Sequence, residues 1–283
     1  MAEIKLENVT YYHGKDTPYE VKALDRINVT IPHGMVTGLI GHTGSGKSTL
    51  VQMLNGILRP TEGTVSIDGV DIWEKPKQIR SVRFRVGLAM QYPEYQLFEE
   101  TVAKDIAFGP KNMGLSELEI EERVKEAARF AGLSPELLEK SPFDLSGGQK
   151  RRAAIAGIIA MRPEVLVLDE PAAGLDPRGR EEIFTNILDY HRASGNTVLI
   201  VSHSMEDMAK YCDNLIVMNE GKIWMQGDRD YIFSRSDRLS EIGLDIPQIT
   251  KLMLLLKSKG LDVDGGVYTV EQAIAHVLRL YKK

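Results

Sequence analysis

A lysine, a serine and three glycines packed into nine positions carry the clearest chemistry in this chain. Gly41-His42-Thr43-Gly44-Ser45-Gly46-Lys47-Ser48-Thr49 has the spacing G-x-x-x-x-G-K-[ST], that of a phosphate-binding loop. The glycines let the backbone curl so that successive N–H groups and a helix N-terminus point at phosphate oxygens. Lys47 adds a mobile positive charge, and Ser48 offers a hydroxyl to Mg²⁺.

Two carboxylates follow an apolar run at Val165-Leu166-Val167-Leu168-Asp169-Glu170. A solvated strand edge often ends in acids, but behind a phosphate loop the pair has a use. Asp169 is placed to hold Mg²⁺ next to Ser48, and Glu170 to polarise a water aimed at the γ-phosphate. A second run, Thr197 to Val201, ends at Ser202-His203 and brings an imidazole to the same site as a hydrogen-bond donor to phosphate or to the attacking water. Gln91 closes a third run, Val86 to Met90, just before Pro93, where open α/β sheets place ligand-handling groups. Alone, Gln91 reads as a surface loop residue. Leu145-Ser146-Gly147-Gly148-Gln149 precedes an apolar helix; Ser146 is of the N-cap type and the glycines expose bare N–H groups. One chain thus carries two phosphate-seeking helix starts about 100 residues apart in sequence.

The elements that position these groups alternate strands and helices. Met35 to Ile40 reads as a buried parallel strand ahead of the loop, and Ser48 to Leu54 as the helix after it. Ile4 to Tyr12 and Ala23 to Ile31 read as antiparallel-type strands with one buried face each, and Gly63 to Val70 as a strand with a turn at Asp68-Gly69. Tyr11, Tyr12 and His13 end the first strand, where a ring could stack on adenine or simply pack at an edge. Between Pro93 and Leu145 helical periodicity takes over, with a helix from Ser116 to Gly132, and the helix after Gly148 is expected to be buried nearly all round. The stretch Tyr92 to Phe98 is expected to expose Tyr92, Tyr95, Leu97 and Phe98 as a docking surface.

Bulk properties bound the reading. The chain has 283 residues, 43% of them hydrophobic, enough for a sizeable core. A net charge of -5 argues against an electrostatic grip on nucleic acid. The single cysteine, Cys212, can form no internal disulfide and reads as a packed core residue in a reducing cytosol. No basic-then-apolar leader opens the sequence, and the longest uncharged apolar run, Ala153 to Met161, is far below the ~18 residues of a membrane span. Work at a membrane requires another chain to do the spanning.

In order along the chain, these motifs resemble the nucleotide-binding subunit of ATP-binding cassette (ABC) transporters over Ile4 to about Gln226. The resemblance implies an α/β fold: a P-loop NTPase core with an antiparallel β subdomain, a helical signature subdomain over about 93–150 and a C-terminal α-helical extension over 227–283, the ATPase domain being 1–226. It implies ATP and Mg²⁺ as cofactors and Glu170, His203, Gln91 and Lys47 as catalytic. It places Mg²⁺ on Ser48, Gln91 and Asp169. Nucleotide contacts fall on Tyr12 or His13, on Gly41, His42, Thr43, Gly44, Ser45, Gly46, Lys47, Ser48 and Thr49, on Ser146, Gly147, Gly148 and Gln149, and on Asp176 of the turn Ala173 to Asp176. Ala172 departs from the Ser or Thr of many members. In the family two subunits pair head to tail, each ATP lying between one chain's phosphate loop and the other's signature.

Gln91-Tyr92-Pro93-Glu94-Tyr95-Gln96-Leu97-Phe98, with Asp105-Ile106-Ala107-Phe108-Gly109-Pro110, looks like the ATPases of energy-coupling factor (ECF) importers, more like the second of the paired two. That implies a second homologous ATPase, a transmembrane coupling subunit and a substrate-binding membrane subunit as partners, no nucleic acid, a vitamin or metal ion as cargo and a peripheral place on the cytoplasmic face of the cell membrane. At the C-terminus, Ile249, Leu252, Met253 and Leu256 mark an amphipathic helix, and Thr269 with Gln272 caps a last one bearing Val270, Ile274, Val277, Leu278 and Tyr281 on one face. These helices either cover the chain's own core or hold the ATPase pair together. Chromosome-organising ATPases need a long heptad insertion, absent here, and translation-type members carry two cassettes where this chain has one phosphate loop.

Overall fold

A computed structural model describes residues 3–281. Period-two burial sets the first strands: in β1 (Ile4–His13) Ile4, Leu6 and Val9 are buried while Lys5 and Glu7 face water, and β2 (Val21–Ile31) buries Leu24, Ile27, Val29 and Ile31. They pair antiparallel with Ile4 opposite Ile31. β3 (Val36–Gly41) is buried throughout, as a strand covered on both faces must be, and leads through the phosphate loop into α1 (Lys47–Leu54). A hairpin of β4 (Glu62–Ile67) and β5 (Val70–Asp71), turning at Asp68-Gly69, completes a four-stranded sheet ordered β2-β1-β4-β5.

The rest of the chain builds the second sheet and its helices. α2 (Ile79–Arg85) feeds β6 (Val86–Ala89); α3 (Val102–Asn112), α4 (Glu117–Phe130) and α5 (Gly147–Ile159) form the helical insertion. There follow β7 (Val165–Asp169), α6 (Pro177–Ser194), β8 (Thr197–Val201), α7 (Met205–Tyr211), β9 (Asn214–Asn219) and β10 (Lys222–Asp228). α8 (Arg229–Phe233), α9 (Ser236–Glu241), α10 (Gln248–Ser258) and α11 (Val270–Tyr281) end the described chain. The sheet order is β10-β9-β3-β8-β7-β6, parallel except for β10.

That order puts β3 beside β8 and β7 beyond it, so the C-terminal ends of three adjacent parallel strands release Gly41, Asp169 and Ser202-His203 at one edge. Alternate residues of these strands feed two cores. Leu39, Val165, Val167, Leu199 and Val201 pack with α1 and the antiparallel sheet, whereas Ile40, Leu166, Leu168, Val198 and Ile200 pack with the helical insertion and α6–α8. Fully burying one such side chain stabilises by roughly 1.5–3 kcal/mol; because both faces are covered, a one-residue slip would exchange the two sets between cores shaped for the other and carry the strand-end residues off the edge they share.

Three sequence readings change. α5 is not buried all round: Ala154, Gly157 and Ile158 are half-buried along an open groove. Leu97 turns inward against the core, leaving Tyr92, Tyr95 and Phe98 exposed. On α10, Leu252 faces water while Ile249, Met253 and Leu256 build a small cluster with Val263, Val267 and Ala273. α11 buries Ala273 and turns Val270, Ile274 and Leu278 outward, and its start carries the reciprocal Thr269–Gln272 hydrogen bonds. Among the described residues no helix is long and apolar enough to cross a membrane.

Candidate nucleotide site

The phosphate loop is fixed by close packing beneath it. Gly46 precedes α1 with φ +100°, and a Cβ there would meet the Ala23 carbonyl oxygen at 2.7 Å, so only glycine fits. Lys47, first in α1, folds its ammonium back to donate to the Gly41 and His42 carbonyls at 2.6 and 2.8 Å. Ser48, one residue on, reaches across to β7, its hydroxyl 3.5 Å from Asp169 Oδ2.

Glu170 leaves β7 with φ +51°, a left-handed turn unusual for a side chain with a Cβ, held by its N–H donating to the Val201 carbonyl at 2.9 Å. Such backbone strain persists where surrounding structure enforces it, and is concentrated at functional sites. The turn swings the Glu170 carboxylate to His203, whose Nδ1–H donates to Oε1 at 2.9 Å. Glu170 is largely shielded and His203 largely exposed, so the carboxylate orients a ring that faces the open cleft.

These groups line one cleft of 660 Å³ together with His13, His42, Thr43, Gly44, Thr49 and Gln91. Burial drops the Lys47 ammonium below its usual pKa, against the opposing pull of Glu170 and Asp169. Burial, then the Glu170 charge, pushes the Asp169 carboxyl above the ordinary carboxylate range, while Lys47 and the Ser48 hydroxyl pull it back. A cation placed between Ser48 and Asp169 would relieve that strain, and hydroxyl and carboxylate oxygens are the donors a hard cation takes. Among the described residues there is no cluster of three His, Cys, Asp or Glu side chains that could hold a metal ion by itself.

The remaining sequence-predicted residues separate. His13 lines the cleft and sits 3.2 Å from Thr49 Oγ1, whereas Tyr12, its neighbour on an alternating strand, lies outside under the Lys22 ammonium. Ser45 turns its side chain under the loop and is 4% exposed. Ser146 and Gln149 form a reciprocal capping box on α5, Ser146 and Gly147 lie exposed, and none of Ser146 to Gln149 lines the cleft. Asp176 is exposed and caps α6 through Gly179 N–H at 2.7 Å, also outside the cleft. Val21, Lys22, Ala23, Met205, Gly243, Leu244 and Asp245 line it unanticipated. Met205 could have been read from its place two residues after His203; the last three come from the C-terminal extension, and no local pattern marks them.

Fold and cleft together define a P-loop ATPase of the cassette type. The ABC transporter family profile matches residues 24–173. The chain is 53% identical over 276 residues to the energy-coupling factor transporter ATP-binding protein EcfA2 of Caldanaerobacter subterraneus subsp. tengcongensis, covering 98% of this chain and 96% of that one. It is 52% identical over 279 residues to EcfA2 of Clostridium tetani, covering 98% and 97%. Of solved structures, cbiO1 from Clostridium perfringens, part of the ABC transporter complex cbiONQ, superposes with TM-score 0.76 at 39% identity, over 89% of this chain and 98% of that one. The ATP-binding cassette MJ0796, dimeric in a post-hydrolysis state with ADP and Pi, gives TM-score 0.71 at 27% identity, over 80% and 98%. The chain belongs to the ABC transporter ATPase family, within its energy-coupling factor branch. It is an ATPase.

Proposed function

We propose that this chain powers an energy-coupling factor importer of a micronutrient, a vitamin or a metal ion, working as one of two homologous ATPases on membrane partners. The observation that carries the reading is the split of the site. Lys47, Ser48, Asp169, Glu170 and His203 share one cleft, while the Ser146 helix start and Asp176 face outward, so a second chain is needed to bring a signature to each nucleotide. Both a second homologous ATPase and a second copy of this chain meet that need; the resemblance of Gln91 to Phe98 to the second of two paired ATPases favours the heterodimer.

In this reading the loop amides and Lys47 cradle the triphosphate and His13 flanks the adenine. Ser48, Asp169 and Gln91 would hold Mg²⁺, which would supply charge neutralisation at the phosphate oxygens. Glu170 takes a proton from the attacking water, and His203, its Nδ1–H held by Glu170, turns Nε2 toward the γ-phosphate and the attacking water. Ser146, Gly147, Gly148, Gln149 and Asp176 serve the partner's nucleotide. Residues 1–226 form the ATPase domain, with its helical part about 93–150, and 227–283 the extension, whose outward α11 face helps hold the pair together. Docking on a transmembrane coupling subunit, itself joined to a substrate-binding membrane subunit, places the chain at the cytoplasmic face of the membrane. Purification of the tagged chain with untagged membrane partners, mass spectrometry of the complex and MgATP-driven uptake in proteoliposomes test the reading; a complex that hydrolyses MgATP without membrane partners bound and drives no uptake overturns it.

A further inference from the structure

The C-terminal extension reaches the phosphate loop directly. His42 Nε2 lies 2.6 Å from the Ile242 carbonyl oxygen, 200 residues away in sequence. A carbonyl only accepts, so Nε2 carries the proton and donates. The carbonyl is presented by a tight turn at the end of α9: Gly243 has φ +70°, its N–H donates to Ser240 O at 2.9 Å, and Leu244 N–H donates to Leu239 O at 2.9 Å. Leu244 and Ile246 then bury themselves in the main core, while Gly243, Leu244 and Asp245 form one wall of the nucleotide cleft. A second tie follows at once: the first residue of α10 donates, Gln248 N–H to Glu206 Oε1 at 3.1 Å, on the helix that follows His203. The stretch 242–248 therefore bridges the phosphate loop and the His203 segment.

We propose that His42 is a positioning residue that latches the phosphate loop to the C-terminal extension, so that nucleotide occupancy and the placement of α9 and α10 are coupled. The inference rests on the cleft being the MgATP site. A loop that wraps phosphate oxygens with its N–H groups adjusts its backbone on binding, and His42 sits within it; the hydrogen bond passes that adjustment to the Ile242 carbonyl and the rigid turn at Gly243. The coupling is reciprocal: whatever binds α10 changes MgATP affinity by the same factor by which MgATP changes that binding.

Hydrogen exchange across 236–258 in the assembled complex, with and without the non-hydrolysable analogue AMP-PNP plus Mg²⁺, tests the latch, with analogue affinity measured alongside. The wild type is expected to slow exchange there by about fivefold on analogue binding. Gly243→Val, which breaks the left-handed turn and pushes a Cβ toward His42 without altering the loop sequence, loses that response when compared at analogue concentrations that saturate each protein. His42→Ala loses it too, and His42→Gln, which keeps a side-chain N–H donor, restores it. Should Gly243→Val not fold, the His42→Ala and His42→Gln pair decides by itself. A wild-type response persisting in Gly243→Val or His42→Ala overturns the latch, as does a wild type that binds the analogue with no change in 236–258. A wild type that binds no analogue overturns the nucleotide site instead.

Discussion

Arg151 and Glu94 form a buried ion pair between the helix after the signature and the segment after Gln91: Nε and Nη2 of the arginine donate to the two carboxylate oxygens at 3.0 and 2.6 Å. Nη1 also donates to the Ala173 carbonyl in the turn before Asp176, and the guanidinium lies 5.8 Å from the Tyr92 ring centre. Their side chains are 4% and 14% exposed. One arginine thus fixes three motifs relative to one another, two of which face a partner chain in the proposed pair.

Removing one member of such a pair leaves a buried charge uncompensated, so Glu94→Gln is expected to destabilise the fold by about 3–5 kcal/mol. Burial alone would raise the Glu94 carboxyl, but the Arg151 hydrogen bonds and its own backbone amide outweigh it and hold it below the ordinary range. Its contribution is therefore present above the unfolded carboxyl pKa and lost as pH falls through the lower, folded one. Thermal melts over an acid series check this: the wild type should lose more stability on acidification than Glu94→Gln. Equal slopes would show that the pair contributes nothing.

Most of this fold is legible in the order of the residues. The loop Gly41 to Thr49, the acids closing β7 and His203 closing β8 are local signals, and parallel-sheet topology leaves few ways to arrange strands that all end at one site. Arg151 is not legible, because within Lys150-Arg151-Arg152 nothing local tells which cation turns inward; only Glu94, 57 residues away, decides. Leu97 reads as exposed because its neighbours are aromatic, yet it is the residue of that loop that packs on the core. The wall at Gly243 to Asp245 is set by long-range packing of the extension, beyond the reach of any motif.

Glu170→Gln keeps the side chain's shape and removes its charge and basicity. MgATP binding should persist while turnover falls by roughly 10²-fold or more. Equilibrium binding and steady-state hydrolysis on the same complex separate the two effects. Hydrolysis within a few-fold of wild type would remove Glu170 as the base.

Lys47→Ala should act on binding itself. The ammonium is held 2.6 and 2.8 Å from two loop carbonyls, at the place proposed for the phosphates, and its loss removes the one lysine of the loop. Nucleotide affinity is expected to fall by about tenfold or more. Unchanged affinity in a titration would show that the loop amides alone hold the phosphates.

Ser146→Arg places a bulky cation on the outward start of α5, away from this chain's own cleft. Nucleotide binding at this chain's phosphate loop should survive, while the partner's site loses activity. Mixed complexes bearing the substitution on one ATPase only provide the measurement. Loss of nucleotide binding by the mutant chain alone would contradict a shared site.

The proposed coupling to the membrane rests on the surface that follows Gln91. Tyr95 is 85% exposed and Phe98 57%, and Phe98 meets Phe108 edge to face with ring centres 5.0 Å apart. Together with Leu88, Ile158 and Met161 these two phenylalanines line a groove of 620 Å³ rimmed by Arg80 and Arg83. An apolar floor with a cationic rim suits an amphipathic helix carrying acidic flanks, and Tyr92, tied to Arg151, connects the groove's edge to the nucleotide cleft through Gln91. Tyr95→Asp combined with Phe98→Asp changes only exposed rings and should leave the melting temperature and MgATP binding close to wild type. Assembly with the membrane subunits, and uptake with it, should be lost. Retention in the membrane complex with normal uptake would place the docking surface elsewhere, whereas substitution of the inward-turned Leu97 is expected to lower stability first.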